Sequence, residues 1–350
     1  MKTLAPVLSV AVSLALAACS SSSGGGDNSG NTNPGNPSSA SIVLLAGDPG
    51  LTTGNGDGSG NAARFSGPMD ITSDAAGNVY VADTGNHSVR KVTPAGAVNT
   101  LAYISDPAAD PADQVNSVAL DASGNLFVGD QSCPVNNITP PICRVGIHKV
   151  NSNGTLTSIV PTGSSDGTGT IINGLLDIAI DGSGRILISD VSVAGAKIRR
   201  LDPATGDIVT VAANTTSSSL AVAQSGTIYY RSNGAIYKWV AGASPVLLAG
   251  SPAGATGYLD GVGAAALLGG RGQISVDSSE IVYAADTDSQ TVRRIGNDGT
   301  VTTIIGQAFN DSLTPGPLPG RVDKPSGTAV SGTTLYVSMP SLIAIVQGKP

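Results

Sequence analysis

Three acidic glycine loops have the residue types and spacing for ligand chemistry: Asp57-Gly58-Ser59-Gly60, Asp166-Gly167-Thr168-Gly169 and Asp260-Gly261-Val262-Gly263. A carboxylate beside glycine either stabilises its own tight turn or offers an oxygen to a cation or hydroxyl. In the first loop, Asn55, Asp57 and Ser59 have the alternate oxygen spacing of a calcium loop. Its closing acidic ligand is missing, because Ser66 stands there, and calcium is the only cofactor the chain suggests. His87 and His148 are the only histidines and no Cys-x-x-Cys exists, so no transition-metal set is composed. Serines are plentiful, but no Gly-x-Ser-x-Gly elbow leads from a strand into a helix. A net charge of -7 and a pI near 4.7 oppose a nucleic-acid partner, since counterion release needs clustered Lys and Arg.

The elements that position these loops come from a repeat. Asp70–Asp83 aligns with Ser117–Asp130, while Asp177–Asp190, Ser219–Ser232 and Gln273–Asp286 keep the same register. Gly327–Met339 is a copy shortened by one residue. Each copy reads as a short apolar strand, a turn with Asp first and usually Gly fourth, and a second strand. A third strand places an aliphatic residue before a basic pair or its relic. These segments are Val89-Arg90-Lys91, Ile147-His148-Lys149, Ile198-Arg199-Arg200, Ile236-Tyr237-Lys238 and Val292-Arg293-Arg294. Lys91, Lys149, Arg200, Lys238 and Arg294, one per repeat, are expected to pair with turn carboxylates such as Asp83. A fourth strand follows, as at 97–102 and 300–305. Aromatic residues are only 3% of the chain, and 46 glycines suit short strands and tight turns.

Antiparallel four-stranded units recurring at about 40 to 60 residues predict an all-β, six-bladed propeller over residues 41–347. The last repeat shows three strands, ending at 342–346. The orphan segment 41–46 resembles a fourth strand such as Val246-Leu247-Leu248-Ala249. It is expected to pair with the C-terminal strand and close the ring, which removes exposed edges. A solenoid is the alternative, but it needs capping ends instead of complementary ones.

The segment Gly77-Asn-Val-Tyr-Val-Ala-Asp83-Thr-Gly-Asn86-His87-Ser88-Val-Arg90-Lys91-Val resembles the NHL repeat, with Ser88 where Leu is expected. Asp57 to Phe65 and on to Pro68 is similar to that family's inter-blade loop. The resemblance implies the propeller fold, and a packing or turn role for His87; His148, aligned with Arg90, is a lattice position. It says little about function, because the family includes binding modules, sensor ectodomains and a few lyases.

In such a fold the innermost strands begin at Asp70, Ser117, Asp177, Ser219, Gln273 and Gly327, with Asn116 beside Ser117. These groups converge near the axis, where Asp70 and Asp177 would bind a cation or share a proton. The plainer reading is that they hydrate the channel mouth and bond neighbouring backbone amides. Asp70, Asn116, Ser117, Asp177, Gln273, Asp57, Asp166 and Asp260 are the candidate ligand-binding residues, and none is assigned a catalytic role. Propellers resembling gluconolactonases hold a metal through Glu, Asn and Asp above the channel. The only glutamate here, Glu280, falls in a turn on the opposite face. Streptogramin-lyase-like and amidating-lyase-like sites need histidines that this chain lacks in number.

Lys2 precedes an apolar stretch, 4–18, too short to span a bilayer comfortably. It ends in Leu16-Ala17-Ala18-Cys19, which resembles the lipobox of lipoprotein signal peptides. The resemblance implies cleavage after residue 18 and lipidation of Cys19, with acyl chains as the membrane anchor. With Ser20 after the cysteine, the same resemblance implies the outer membrane in preference to the inner. Residues 19–40 form a Ser/Gly/Asn/Pro tether with a reach of roughly 25 Å. Cys133 and Cys143, an even pair in an oxidising compartment, are read as a disulfide worth roughly 3 kcal/mol. They staple a blade-two insertion, 131–146, that lies on the same face as the acidic loops.

The sequence therefore predicts a monomeric, membrane-anchored recognition scaffold without enzymatic activity. Its partner would be a protein, peptide or glycan on the inter-blade-loop face, where rigid scaffolds commonly carry recognition. A lyase or hydrolase acting around Asp70 and Asp177 is the competing reading, and a structural envelope component the third.

Overall fold

The computed structural model describes residues 40–104, 113–132, 143–160, 172, 174–192, 195–240, 242–310 and 312–347. The expected signal peptide, Cys19, nearly all of the expected tether, Cys133 and Asp166 lie outside the described residues. Among the described residues no helix is long and apolar enough to cross a membrane.

The chain folds into six antiparallel sheets. In chain order the innermost strands are Asp70–Ser73, Asp113–Leu120, Leu175–Ile180, Ser219–Val222, Ile274–Val276 and Gly327–Ser331. Each contacts the next, and the last returns to the first, so the sheets form a closed ring of blades. The expected propeller is what forms.

Local chemistry dictates each blade. In blade 1 the turn after Asp70–Ser73 is held by Asp74, whose Oδ1 accepts Asn78 N at 2.9 Å and whose Oδ2 accepts Asn78 Nδ2 at 2.7 Å. Gly77 takes the left-handed conformation there, φ +81°, which a side chain would resist. Asp121 and Asn125 repeat the device in blade 2. Val79–Asp83, Ser88–Val92 and Ala97–Tyr103 then pair in meander order. Alternate residues face the two neighbouring blades, so the core lies in the seams and not at one centre. The seam between blades 6 and 1, for example, buries Phe65, Val79, Val81, Tyr336 and Ile343.

Blade 6 consists of Gly327–Ser331, Thr334–Met339 and Leu342–Gln347, completed by the N-terminal strand Ser41–Gly47. Ser41 pairs with Gln347 and Gly47 with Leu342, with a register shift between Leu44 and Ala46. The ring is closed by its own two ends, as the sequence pattern anticipates. Three two-residue strands were not anticipated: Gly58–Ser59, Gly261–Val262 and Gly316–Pro317. They add to the outer edges of blades 1, 5 and 6.

Candidate functional site

Around the axis, a polar side chain on each of four innermost strands reaches the backbone of the next blade. Asp70 Oδ2 accepts Val118 N at 2.9 Å, and Ser117 Oγ accepts Ile178 N at 3.0 Å. Asp177 Oδ2 accepts Leu220 N at 2.7 Å, and Ser219 Oγ accepts Ile274 N at 2.9 Å. Asn116 Nδ2 adds a bond to Leu175 O at 2.8 Å. Gln273 joins blades 5 and 6 through its backbone, N to Ser326 O at 2.8 Å. Its buried Oε1 has no hydrogen-bond partner among the described residues. Gly327 contributes no side chain, and Ser326 Oγ instead donates to Pro68 O across the last seam. The expected convergence is real, and its polar groups clasp neighbouring blades.

Ser117 also joins the two carboxylates. Its Oγ lies 2.8 Å from Asp70 Oδ2 and 2.6 Å from Asp177 Oδ1. A hydroxyl carries one proton, so one of these contacts is closed by a proton from a carboxyl group. The shorter contact fits a serine O–H donating to an ionised Asp177, with Asp70 as the neutral acid. Burial, with Asp177 beside it, pushes Asp70 well above the usual carboxylate range. Burial raises Asp177 to about 6, against the pull of its hydrogen bonds from Ser117 and Leu220. Both line an axial cavity of 170 Å³, otherwise walled by aliphatic side chains and short polar groups of the innermost strands. At about 30 Å³ per water it holds a few waters, and it is smaller than the roughly 300 Å³ at which small-molecule sites begin.

The acidic loops lie elsewhere. Asp57 and Asp260 sit beside the fourth strands, the strands farthest from the axis. Asp57 Oδ1 takes Arg90 Nη2 at 2.7 Å and Thr100 Oγ1 at 3.0 Å, while its Oδ2 takes Thr100 N at 3.1 Å. Burial pushes its pKa up, but the bonds from Thr100 and Arg90 outweigh that and hold it below the usual value. Asp260 repeats the arrangement with Arg293 at 2.6 Å and Thr303 at 3.0 Å. Asn55 and Ser59 are exposed on the same loop as Asp57. Among the described residues no three His, Cys, Asp or Glu side chains gather around a metal position.

The basic residues need one correction. Lys91 was expected to pair with Asp83, but that carboxylate belongs to Arg90, whose Nη1 is 2.8 Å from Asp83 Oδ2. Successive side chains of a strand face opposite sides, so Lys91 points away and lies over the Tyr80 ring at 5.5 Å. Arg199 with Asp190 and Arg293 with Asp286 follow the same rule. His148 takes this lattice position in blade 2, its Nε2 2.8 Å from Asp130 Oδ1. His87 is buried in the left-handed conformation after a 3₁₀ turn, φ +53°. Glu280 bonds Lys238 at 3.0 Å and Tyr229 Oη at 2.9 Å, tying blade 5 to blade 4.

One buried group escaped sequence reasoning. Arg231 is wholly buried where the other repeats have Ala82, Gly129, Ser189, Ala285 and Ser338. It donates to the Ala285 carbonyl at 3.0 Å and to that of Arg271. The signal was a large cation at a position of small residues.

Six closed antiparallel blades with one strand borrowed from the other chain end define a β-propeller, and residues 65–92 match the family model for the NHL repeat. The fold is a six-bladed β-propeller, and the segment similar to the NHL repeat is the heart of blade 1. No curated protein is similar to it in sequence. Solved structures are similar in fold. An auxiliary nutrient binding protein from Bacteroides ovatus shares 19% identity at TM-score 0.68, over 87% of this chain and 76% of that one. A gluconolactonase from Xanthomonas campestris shares 16% at TM-score 0.58, over 88% and 89%. Virginiamycin B lyase from Staphylococcus aureus shares 13% at TM-score 0.51, over 80% and 95%. These likenesses show a common fold that serves both binding proteins and enzymes.

Proposed function

We propose that the protein is a monomeric binding scaffold of the cell envelope, anchored by lipid on Cys19 and favouring the outer membrane. It takes a protein, peptide or glycan on the face of the inter-blade loops. The observation that carries this reading is the state of the axial ring. Asp70, Ser117, Asp177 and Ser219 spend their polar atoms on inter-blade bonds, around a cavity of 170 Å³ that is small for a substrate. A chain whose central residues serve cohesion meets its partner on its loops. The likeness to nutrient binding propellers is consistent with this, at identities that speak for fold alone.

A second reading, a lyase or hydrolase, draws on the proton shared through Ser117, since an acid held near neutrality can serve general acid–base chemistry. The two separate cleanly. Capture of one consistent partner by the full-length chain from detergent-solubilised envelopes, unchanged by joint Asp70→Asn and Asp177→Asn replacement, supports the scaffold. Turnover of an envelope component that this double variant abolishes would overturn it.

A further inference from the structure

The third-strand lattice position is filled differently in blade 4. Blades 1, 3 and 5 place an Asp–Arg pair there, and blade 2 has Asp130 with His148. In blade 6, Met339 and Ala344 hold the same positions within an apolar cluster. Blade 4 has Ser232 and Tyr237. The loop preceding this blade, 214–218, is also too short to fold over the position as 48–69 covers Arg90. What remains is a cavity of 390 Å³ on the inter-blade-loop face.

Its walls carry no charged side chain. Tyr230 is buried, and Tyr237 stacks on it with ring centroids 5.1 Å apart and planes at 11°. Thr216 Oγ1 and Ser232 Oγ lie 2.7 Å apart on the wall. Asn214 and Asn233 flank the opening in left-handed backbone conformation, φ 55° and 43°. Their side-chain amides, like the two phenol hydroxyls, have no hydrogen-bond partner among the described residues. Burial, with Tyr237 alongside, pushes Tyr230 up to about 12, so its hydroxyl remains a donor at any physiological pH.

Hydroxyls and amides both donate and accept, which matches a ligand whose own groups do both. A charged ligand would be desolvated here without a counterion, and an apolar one would strand the wall's polar groups. The volume lies at the small end of ligand sites, and an aromatic pair provides a flat apolar contact. We infer that this blade-4 cavity is a binding site for a neutral saccharide of one or two units. The inference rests on the binding reading above and assigns it a site and a ligand class.

The test titrates the full-length protein with glucose, galactose, mannose, maltose and cellobiose up to about 20 mM, with glucuronate and glucosamine as charged controls, by calorimetry and melting shift. At least one neutral sugar is expected to bind, and more tightly than either charged control. Ser232→Asp with Tyr237→Arg installs the ion pair that other blades use and fills the cavity; binding should weaken at least about tenfold. Should that variant fold poorly, Asn233→Gly keeps the backbone conformation and removes one amide, for an expected loss of about three- to tenfold. No neutral sugar binding, a charged sugar preferred, or affinity indifferent to these variants would overturn the site. Envelope capture is a separate readout. A partner recovered without sugar binding sinks only this site, and sugar binding without a recovered partner sinks only the macromolecular half of the earlier reading.

Discussion

Arg90 Nη1 lies 2.8 Å from Asp83 Oδ2, and neither side chain is exposed to solvent. The guanidinium also reaches Asp57, so one buried cation ties together two strands and an inter-blade loop. Breaking a buried pair from one side leaves the other charge uncompensated, which costs more than the intact pair contributes. Asp83→Ala should therefore destabilise the fold by about 3 to 5 kcal/mol in urea unfolding. Replacing both partners, Asp83→Leu with Arg90→Met, should cost clearly less than the sum of the single losses. Additive losses would mean that the charges do not act as a unit.

Closure depends on Ser41–Gly47 lying against Leu342–Gln347. Deleting residues 41–47 strips blade 6 of its outer strand and exposes an edge beside Ile343 and Ala344. The expected outcome is loss of the cooperative melting transition, with aggregation on gel filtration. Deleting 22–38 in the tether should leave the melting temperature unchanged. A truncated chain that melts normally would show that the seam is dispensable.

Blade boundaries and closure were legible because they rest on periodicity: strand alternation, Asp-first turns, and an orphan strand at one end matching a vacancy at the other. The Arg90–Asp83 pair was legible in principle, since Asp83 faces Ser88 in the register and Arg90 lies two residues on, on the same side. The sequence expectation chose Lys91 and so chose the wrong face. The outer strands at Gly58–Ser59 and Gly261–Val262 left no pattern, because two residues rich in glycine carry no alternation. The blade-4 cavity was visible only as a mismatch, Ser232 for Asp and Tyr237 for Arg. The equally mismatched Met339 and Ala344 pack solidly. Residue types mark where the lattice is broken, and only packing decides whether a void follows.

Asp57 also bears on calcium. Its carboxylate is bonded by Arg90 and Thr100, so a cation at Asn55, Asp57 and Ser59 would have to compete with a buried guanidinium. Millimolar calcium should leave the melting temperature of the full-length chain within the scatter seen with magnesium. Asp57→Asn should lower it by itself, because the Arg90 contact is weakened. A calcium-specific rise that Asp57→Asn removes would restore the loop as a metal site.

The proton shared through Ser117 gives stability a pH slope whose sign follows from the shifts. Asp70 and Asp177 both titrate above the ordinary 3.8 in the folded chain, Asp177 at about 6. An acid with a raised folded-state pKa favours folding while protonated. Its contribution is complete below about pH 4 and is lost as pH rises through 6 and beyond. Asp70→Asn has no proton to lose: Nδ2 in place of Oδ2 donates to Ser117 and Oδ1 keeps its bond from Ile71 N, while Val118 N loses its acceptor, a cost that does not vary with pH. The expected result is a stability difference, variant minus wild type, that grows with pH between 5 and 8 by on the order of 1 to 3 kcal/mol. Other titrating groups are common to both chains and cancel in that difference. A difference that stays flat would place the proton elsewhere, leaving Ser117 with a contact to one carboxylate that no hydrogen closes.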